Sequence, residues 1–158
     1  MGVLVRTVIR IALTLVLAAV PVFAIAQPAY ADAVGSTPVG AFEYSTNGLK
    51  IGIPEGSFFT HVIRGKGLTI TDENAGVDSI GPGLIGNGFC NWRIDFQYED
   101  DSGKLYRTDR GPMSNTCEHY TFRDVRGSRV LPSYGKACAI FYVNGAERAR
   151  QCHYIVQS

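Results

Sequence analysis

The sequence lacks the patterns that define most functional classes. Beyond residue 31 it has no sustained apolar pattern with a 3.6-residue period, so a helical domain is not expected. It has no G-x-S-x-G segment, which argues against a serine hydrolase, and no basic run of the kind that binds nucleic acid. It also has no C-x-x-C pair, which argues against a zinc site.

The first 31 residues have the pattern of a secretory signal peptide. Arg6 and Arg10 form a short basic region, and residues 11–26 are almost wholly apolar. Small residues then lead to Ala31, after which we predict cleavage, with Ala26 as an alternative site. The apolar run is shorter than the roughly 20 residues of a membrane-spanning helix. We therefore expect the remaining chain to be extracellular and to have no membrane association.

The chain beyond the signal peptide is nearly neutral. Removing Arg6 and Arg10 from the 15 basic residues leaves 13 against 14 acidic residues, a formal charge of −1. Proteins bind phosphate backbones through clustered cations, so nucleic acid is not an expected partner. We expect the partner to be another secreted protein, and we predict neither a cofactor nor a metal.

All four cysteines, Cys90, Cys117, Cys138 and Cys152, lie beyond the signal peptide. An even number of cysteines in a secreted chain predicts two disulfides. Three pairings are open, and we expect the sequential one, in which Cys90 bonds Cys117 and Cys138 bonds Cys152.

Residues 89–99 are the clearest strand, because apolar residues fill every second position from Cys90 to Tyr98. Arg93, Asp95 and Gln97 occupy the opposite face of this strand. That face is either plain solvated surface or a polar docking face for a partner protein.

Turn signals separate the other strands. Asn-Gly pairs at 47–48 and 144–145 are typical of tight hairpins. A weaker strand follows Cys117, where Tyr120 and Phe122 alternate with polar residues, and glycine-rich residues 72–88 predict a long loop. Residues 47–158 are therefore expected to form one all-β domain, a small antiparallel β-sandwich or barrel cross-linked by two disulfides.

The last hairpin constrains the disulfide pairing. With a two-residue loop, Val143 faces Ala146, and Cys152 then lies on the opposite face from Cys138. The sequential pairing thus requires a bulged three-residue loop at Gly145 or a strand break near Gln151. If neither is present, a crossed pairing is expected instead.

Residues 32–46 predict an extended N-terminal arm. Small residues, Gly35 and Pro38 among them, precede Phe42 and Tyr44. Such an arm suits strand addition to a partner, with the two aromatic rings filling pockets. The alternative is that both rings complete the core of the domain itself, and the sequence leaves the two open.

The best enzyme hypothesis is a small secreted ribonuclease, because Glu118, His119 and Arg123 supply a base, an acid and a phosphate-binding cation. The segment is faintly similar to microbial ribonucleases. Those enzymes carry an N-terminal helix that has no counterpart here, and adjacent residues in a strand point to opposite faces. We therefore expect no catalytic residues.

Three segments resemble small secreted actinobacterial β-domain proteins: CNWRIDF at 90–96, YGKACA at 134–139 and RARQCH at 148–153. This group is taken to include the adaptor subunits of umbrella toxin particles. In these antibacterial particles an adaptor with an extended N-terminal segment joins a lectin-like subunit to a large toxin. The resemblance implies a non-enzymatic adaptor, with the arm's role falling on residues 32–46.

A second binding hypothesis is a proteinaceous inhibitor of an extracellular amylase or protease. Trp92-Arg93 and residues 98–101 are similar in type to those of a secreted amylase inhibitor. The spacing of the four cysteines differs from that family.

Overall fold

Ten β-strands account for most of the residues that the computed structural model describes, which are 31–79 and 88–157. The all-β prediction is confirmed, and within those ranges there is no helix. None of the described segments is a long apolar helix that would cross a membrane. In chain order the strands are β1 (Ala31–Val39), β2 (Phe42–Thr46), β3 (Leu49–Ile53), β4 (Ser57–Lys66), β5 (Thr69–Ser79), β6 (Trp92–Asp100), β7 (Leu105–Asp109), β8 (Thr121–Val130), β9 (Gly135–Val143) and β10 (Ala146–Ile155).

Two four-stranded antiparallel sheets pack face to face as a β-sandwich. Sheet 1 has the order β1-β4-β5-β8 and sheet 2 the order β10-β9-β6-β7, while β2 and β3 form a separate hairpin. Side chains from both inner faces meet in one core, in which the Phe59 ring lies 5.8 Å from the Phe141 ring. Phe89 packs edge-on against Phe141 from outside the two sheets.

Of the two alternatives left open for residues 32–46, a docking arm and a part of the domain's own core, the structure shows the second. The first part of this segment is strand β1, which pairs with β4 along its whole length, so its backbone groups are satisfied within the domain. Tyr44 is buried, and its hydroxyl donates to the Gly88 carbonyl and accepts from the Cys90 amide. Phe42 packs half-buried against the same core.

The prediction of a loop at residues 72–88 is wrong for residues 72–79. Strand β5 extends to Ser79, and Glu73, Ala75 and Val77 point into the core between outward-facing polar residues and glycine. The rest of the predicted loop, residues 80–87, lies outside the described part of the chain.

Both predicted disulfides are present, Cys90–Cys117 and Cys138–Cys152. The last hairpin has the two-residue turn that places Val143 opposite Ala146, so of the two alternative conditions for the sequential pairing the bulged loop at Gly145 is absent. Instead the register shifts at Arg148, which has no partner on β9. This strand bulge brings Cys138 directly opposite Cys152, with 4.0 Å between their Cα atoms.

A fully buried carboxylate, Glu73, lies between the two sheets. It accepts hydrogen bonds from Tyr98 Oη at 2.5 Å and His61 Nε2 at 2.9 Å, and it forms an ion pair with Arg129. Arg129 Nη2 also donates to Tyr98 Oη at 2.8 Å. These partners come from β4, β6 and β8, so the network joins both sheets.

The His61 imidazole is held neutral in this network. Burial lowers the pKa of His61 to about 4; a hydrogen bond to the Gln151 carbonyl opposes the shift, and the charge of Arg129 adds to it. Burial likewise lowers the pKa of His153, whose ring lies 4.9 Å from that of His61. A neutral ring has a single N–H; with that proton on Nε2 it donates to Glu73 at 2.9 Å, and only the protonated ring would also donate from Nδ1 to the Gln151 carbonyl.

Removing the Cys138–Cys152 disulfide is expected to destabilise the domain. The bridge closes a loop with a sequence separation of 14, and a loop of that size corresponds to about 3 kcal/mol of unfolding free energy. Guanidinium unfolding of the double variant Cys138→Ala/Cys152→Ala should show this loss, with the other disulfide verified by mass spectrometry. An unchanged unfolding midpoint would contradict the expectation.

The domain is expected to lose stability as the pH falls from about 6.5 to 4. In that interval the unfolded chain takes up a proton at His61 that the folded chain excludes, so the contribution is complete above pH 6.5 and declines on acidification. A pKa lowered from 6.5 to about 4 corresponds to a loss of unfolding free energy on the order of 3 kcal/mol.

Urea unfolding across this pH range, in parallel with His61→Gln, measures the effect. Both proteins share the titration of the carboxylates that do not contact His61, so the difference between their slopes reports His61 and the groups in contact with it. Equal slopes would show that His61 does not carry the pH dependence.

Candidate docking surface

Strand β8 is inverted relative to the usual pattern of a sandwich strand. Thr121 points inward and is 2% exposed, whereas its neighbours Tyr120 and Phe122 are 78% and 62% exposed. Large aromatic side chains are normally the ones that a sheet buries. Strand β8 and Tyr120, the residue before it, therefore present two aromatic rings to solvent at the outer face of sheet 1.

The inward side of β8 is held by polar contacts. Thr121 Oγ1 accepts a hydrogen bond from the Val77 amide at 3.0 Å. Arg123 Nη1 donates to the carbonyls of Ile94 and Asp109, at 2.8 and 2.7 Å, and its guanidinium stacks over the Phe96 ring. Arg123 thereby ties the edge of sheet 1 to sheet 2.

The segment that leads to β8 is fastened at several points to the start of β6. Trp92 and Ser114 exchange two backbone hydrogen bonds, and Trp92 Nε1 donates to Glu118 Oε2 at 2.9 Å. The Cys90–Cys117 disulfide fastens the same segment at a position between Ser114 and Glu118. Further back, the Gly111 amide donates to Asp95 Oδ1 at 3.0 Å.

An apolar pocket of about 190 Å³ opens beside Phe122. Its lining includes Trp92 and Ile94 from the inner face of β6, together with Pro112 and Met113 from the fastened segment. Met113 is 43% exposed, and methionine adapts its shape readily to an incoming group. We call Met113, Tyr120, Phe122 and this pocket the aromatic patch.

A trough runs along the outer face of β5 on the other side of Phe122. Its lining includes Asn74, Gly76 and Asp78, three successive outward positions that span about 13 Å. Gly76 is required here, because a Cβ atom would stand 2.5 Å from the Thr121 carbonyl oxygen and 3.2 Å from Phe122 Cδ2. We call this feature the β5 trough; Tyr120 and Phe122 contribute to its lining.

The docking residues predicted from the sequence lie elsewhere. Phe42 and Tyr44 belong to the core, as described above. Arg93 and Gln97 lie half-buried on the outer face of sheet 2 with Asp95 buried between them, and each of the three forms a side-chain hydrogen bond. Arg93 Nε bonds both Asp95 carboxylate oxygens, and Gln97 accepts from Arg150 Nη1. Docking through this face stays a prediction.

The three residues of the ribonuclease hypothesis are not assembled into one site. Glu118 is engaged by Trp92 and by Thr116, and Arg123 points into the sandwich. The His119 side chain is exposed and has no hydrogen bond to any described residue. Within residues 31–79 and 88–157, no cluster of three His, Cys, Asp or Glu side chains is arranged to hold a metal ion.

Sequence reasoning missed the aromatic patch because alternation alone does not say which face of a strand is buried. Tyr120 and Phe122 alternate correctly for a strand, and such rings are normally assigned to the core. The residues that alternate with the rings, Thr121 and Arg123, form the inward face of the strand. Arg123 can point inward because carbonyl groups on the other sheet accept its hydrogen bonds, and the sequence does not show those acceptors.

No family model, no curated protein and no solved structure matches this chain.

Proposed function

We propose that this chain is a secreted, non-enzymatic protein-binding module that docks a partner protein through the aromatic patch. The inversion of β8 carries the proposal. A segment that turns Thr121 and Arg123 inward while exposing Tyr120 and Phe122 forgoes hydrophobic stabilisation. Departures of this kind from local rules are expected at functional positions.

The composition of the patch supports a protein partner. Aromatic residues and methionine are enriched at the centres of protein interfaces. Burying a large apolar side chain contributes about 1.5–3 kcal/mol, so Tyr120 and Phe122 together offer enough for a specific contact. The pocket beside Phe122 is apolar and suits one inserted side chain of the partner.

The rigidity of the patch supports tight docking. The Cys90–Cys117 disulfide, the paired backbone of Trp92 and Ser114 and the Glu118 contact hold the pocket wall in place before a partner arrives. A surface that is already ordered loses little conformational entropy on binding.

We propose that this binding module acts as an adaptor subunit in a secreted antibacterial toxin particle. The disulfides indicate an oxidising compartment, in line with secretion. An adaptor needs two docking surfaces, and the sandwich has two outer faces. The aromatic patch borders the face of sheet 1, and Arg93, Asp95 and Gln97 lie on the opposite face.

Photo-crosslinking tests the proposal in culture medium of the source organism. Benzoylphenylalanine replaces Phe122 in one protein and Val130 in a control. Val130 is a matched position, because it is a 70% exposed apolar residue on the same strand. We expect one secreted protein to crosslink at position 122 and not at 130, with excess unlabelled protein preventing the reaction.

The crosslinked protein is then purified and titrated calorimetrically. Phe122→Ala should weaken binding at least about tenfold, as for a central contact residue, and Val130→Ala by less than about twofold. Crosslinking only to a second copy of this chain, equal effects of the two variants, or no crosslink would contradict the proposal. If the partner is an extracellular enzyme that loses activity in the complex, the module is an inhibitor rather than an adaptor.

A further inference from the structure

The β5 trough has two polar side chains without hydrogen-bond partners among the described residues. The Asn74 amide and the Asp78 carboxylate lie along it, and neither forms a hydrogen bond with another side chain or backbone group in the described ranges. Residues 80–87, which follow β5 in the chain, contain no lysine or arginine. These groups are thus available to a ligand.

Asp78 differs from Asp72 and Asp124, two other carboxylates on the outer face of sheet 1. Asp72 is paired with Arg64 at 3.1 Å, and Asp124 with Arg126 at 2.7 Å. Among residues 31–79 and 88–157, Asp78 has no ion-pair partner. The trough therefore contains a negative charge that the domain does not balance locally.

The trough also contains two exposed aromatic rings. Tyr120 and Phe122 line it together with Asp78. A cation over an aromatic ring is attracted by the negative face of the ring, and the alkyl stem of a lysine or arginine packs well on apolar surface. A carboxylate beside aromatic rings is therefore complementary to a long cationic side chain.

We propose that the β5 trough binds a lysine or arginine side chain of the partner protein, next to an apolar side chain that enters the pocket beside Phe122. The inference rests on the proposed docking function and names its recognition chemistry. The partner segment carries an apolar residue and a basic residue close together. The apolar residue enters the pocket and the basic residue the β5 trough, and the Phe122 ring lies between these two sites.

Charge complementarity favours this ligand over others that use aromatic rings. The unbalanced carboxylate of Asp78 repels phosphate groups and acidic peptides. A neutral sugar would stack on the rings, but it would leave the negative charge without a counterion.

A displayed library of random heptapeptides tests the inference with the full secreted chain as bait. Selection on the wild type should enrich peptides in which lysine or arginine lies near an aromatic or long aliphatic residue. Selection on Asp78→Asn should lose the basic preference and keep the apolar one. Asp124→Asn is the matched control, because this carboxylate lies on the same face and already has its own arginine.

A double-mutant cycle then measures the contact with one selected peptide and its version with glutamine at the basic position. Either single change, Asp78→Asn or the glutamine peptide, should weaken binding about fivefold, as for an accessible ion pair. Both changes together should weaken it little further, because the contact is already lost. Added salt should weaken binding to the wild type more than to Asp78→Asn.

Several outcomes would overturn the inference. One is an equal basic preference on wild type and Asp78→Asn, and another is the enrichment of no peptide. Retention on insoluble cellulose or chitin that is lost on Tyr120→Ala would assign the trough to a saccharide instead. If apolar enrichment disappears on Phe122→Ala while no basic preference is found, docking at the patch stands and only the cation site fails.

Discussion

The fold depends on the neutralisation of one buried carboxylate. Glu73 has no exposed surface, and removing the partner of such a charge typically costs 3–5 kcal/mol. Its cation, Arg129, comes from β8 and fixes which face of that strand points inward. A slip of β8 by one residue would bury Tyr120 and Phe122, but it would turn Arg129 away from Glu73. The buried ion pair therefore accounts for the exposed aromatic rings.

The aromatic patch depends on this ion pair and on a second constraint, the attachment of the segment before β8 to sheet 2. The Cys90–Cys117 disulfide and the Glu118 contact draw the segment before β8 onto Trp92. Arg123 then ties β8 to β6 and β7. Side chains that seemed suited to catalysis, Glu118 and Arg123, thus act as positioning residues for a surface, and the exposed rings are the groups left for binding.

Local patterns in the sequence predicted much of the fold. Alternation from Cys90 to Tyr98, the Asn-Gly turns and the even cysteine count led to the correct strands, class and disulfides. The bulge at Arg148 was misplaced because a bulge depends on register across two strands. The second half of β5 was missed because Glu73 is a charged residue in a core position. A buried glutamate is stable there only because Arg129, which is distant in the sequence, pairs with it. The exposed aromatic rings of the patch were missed for the same long-range reason.

Hydrogen–deuterium exchange of the full chain, with and without its crosslinked partner, tests the central claim most directly. The account predicts slower exchange at residues 111–123 and 74–78 in the complex. Exchange at residues 95–97, which do not line the pocket, should stay unchanged in a complex with that single partner. Protection confined to 95–97 or to 32–46, with none at 111–123, would contradict docking through the aromatic patch.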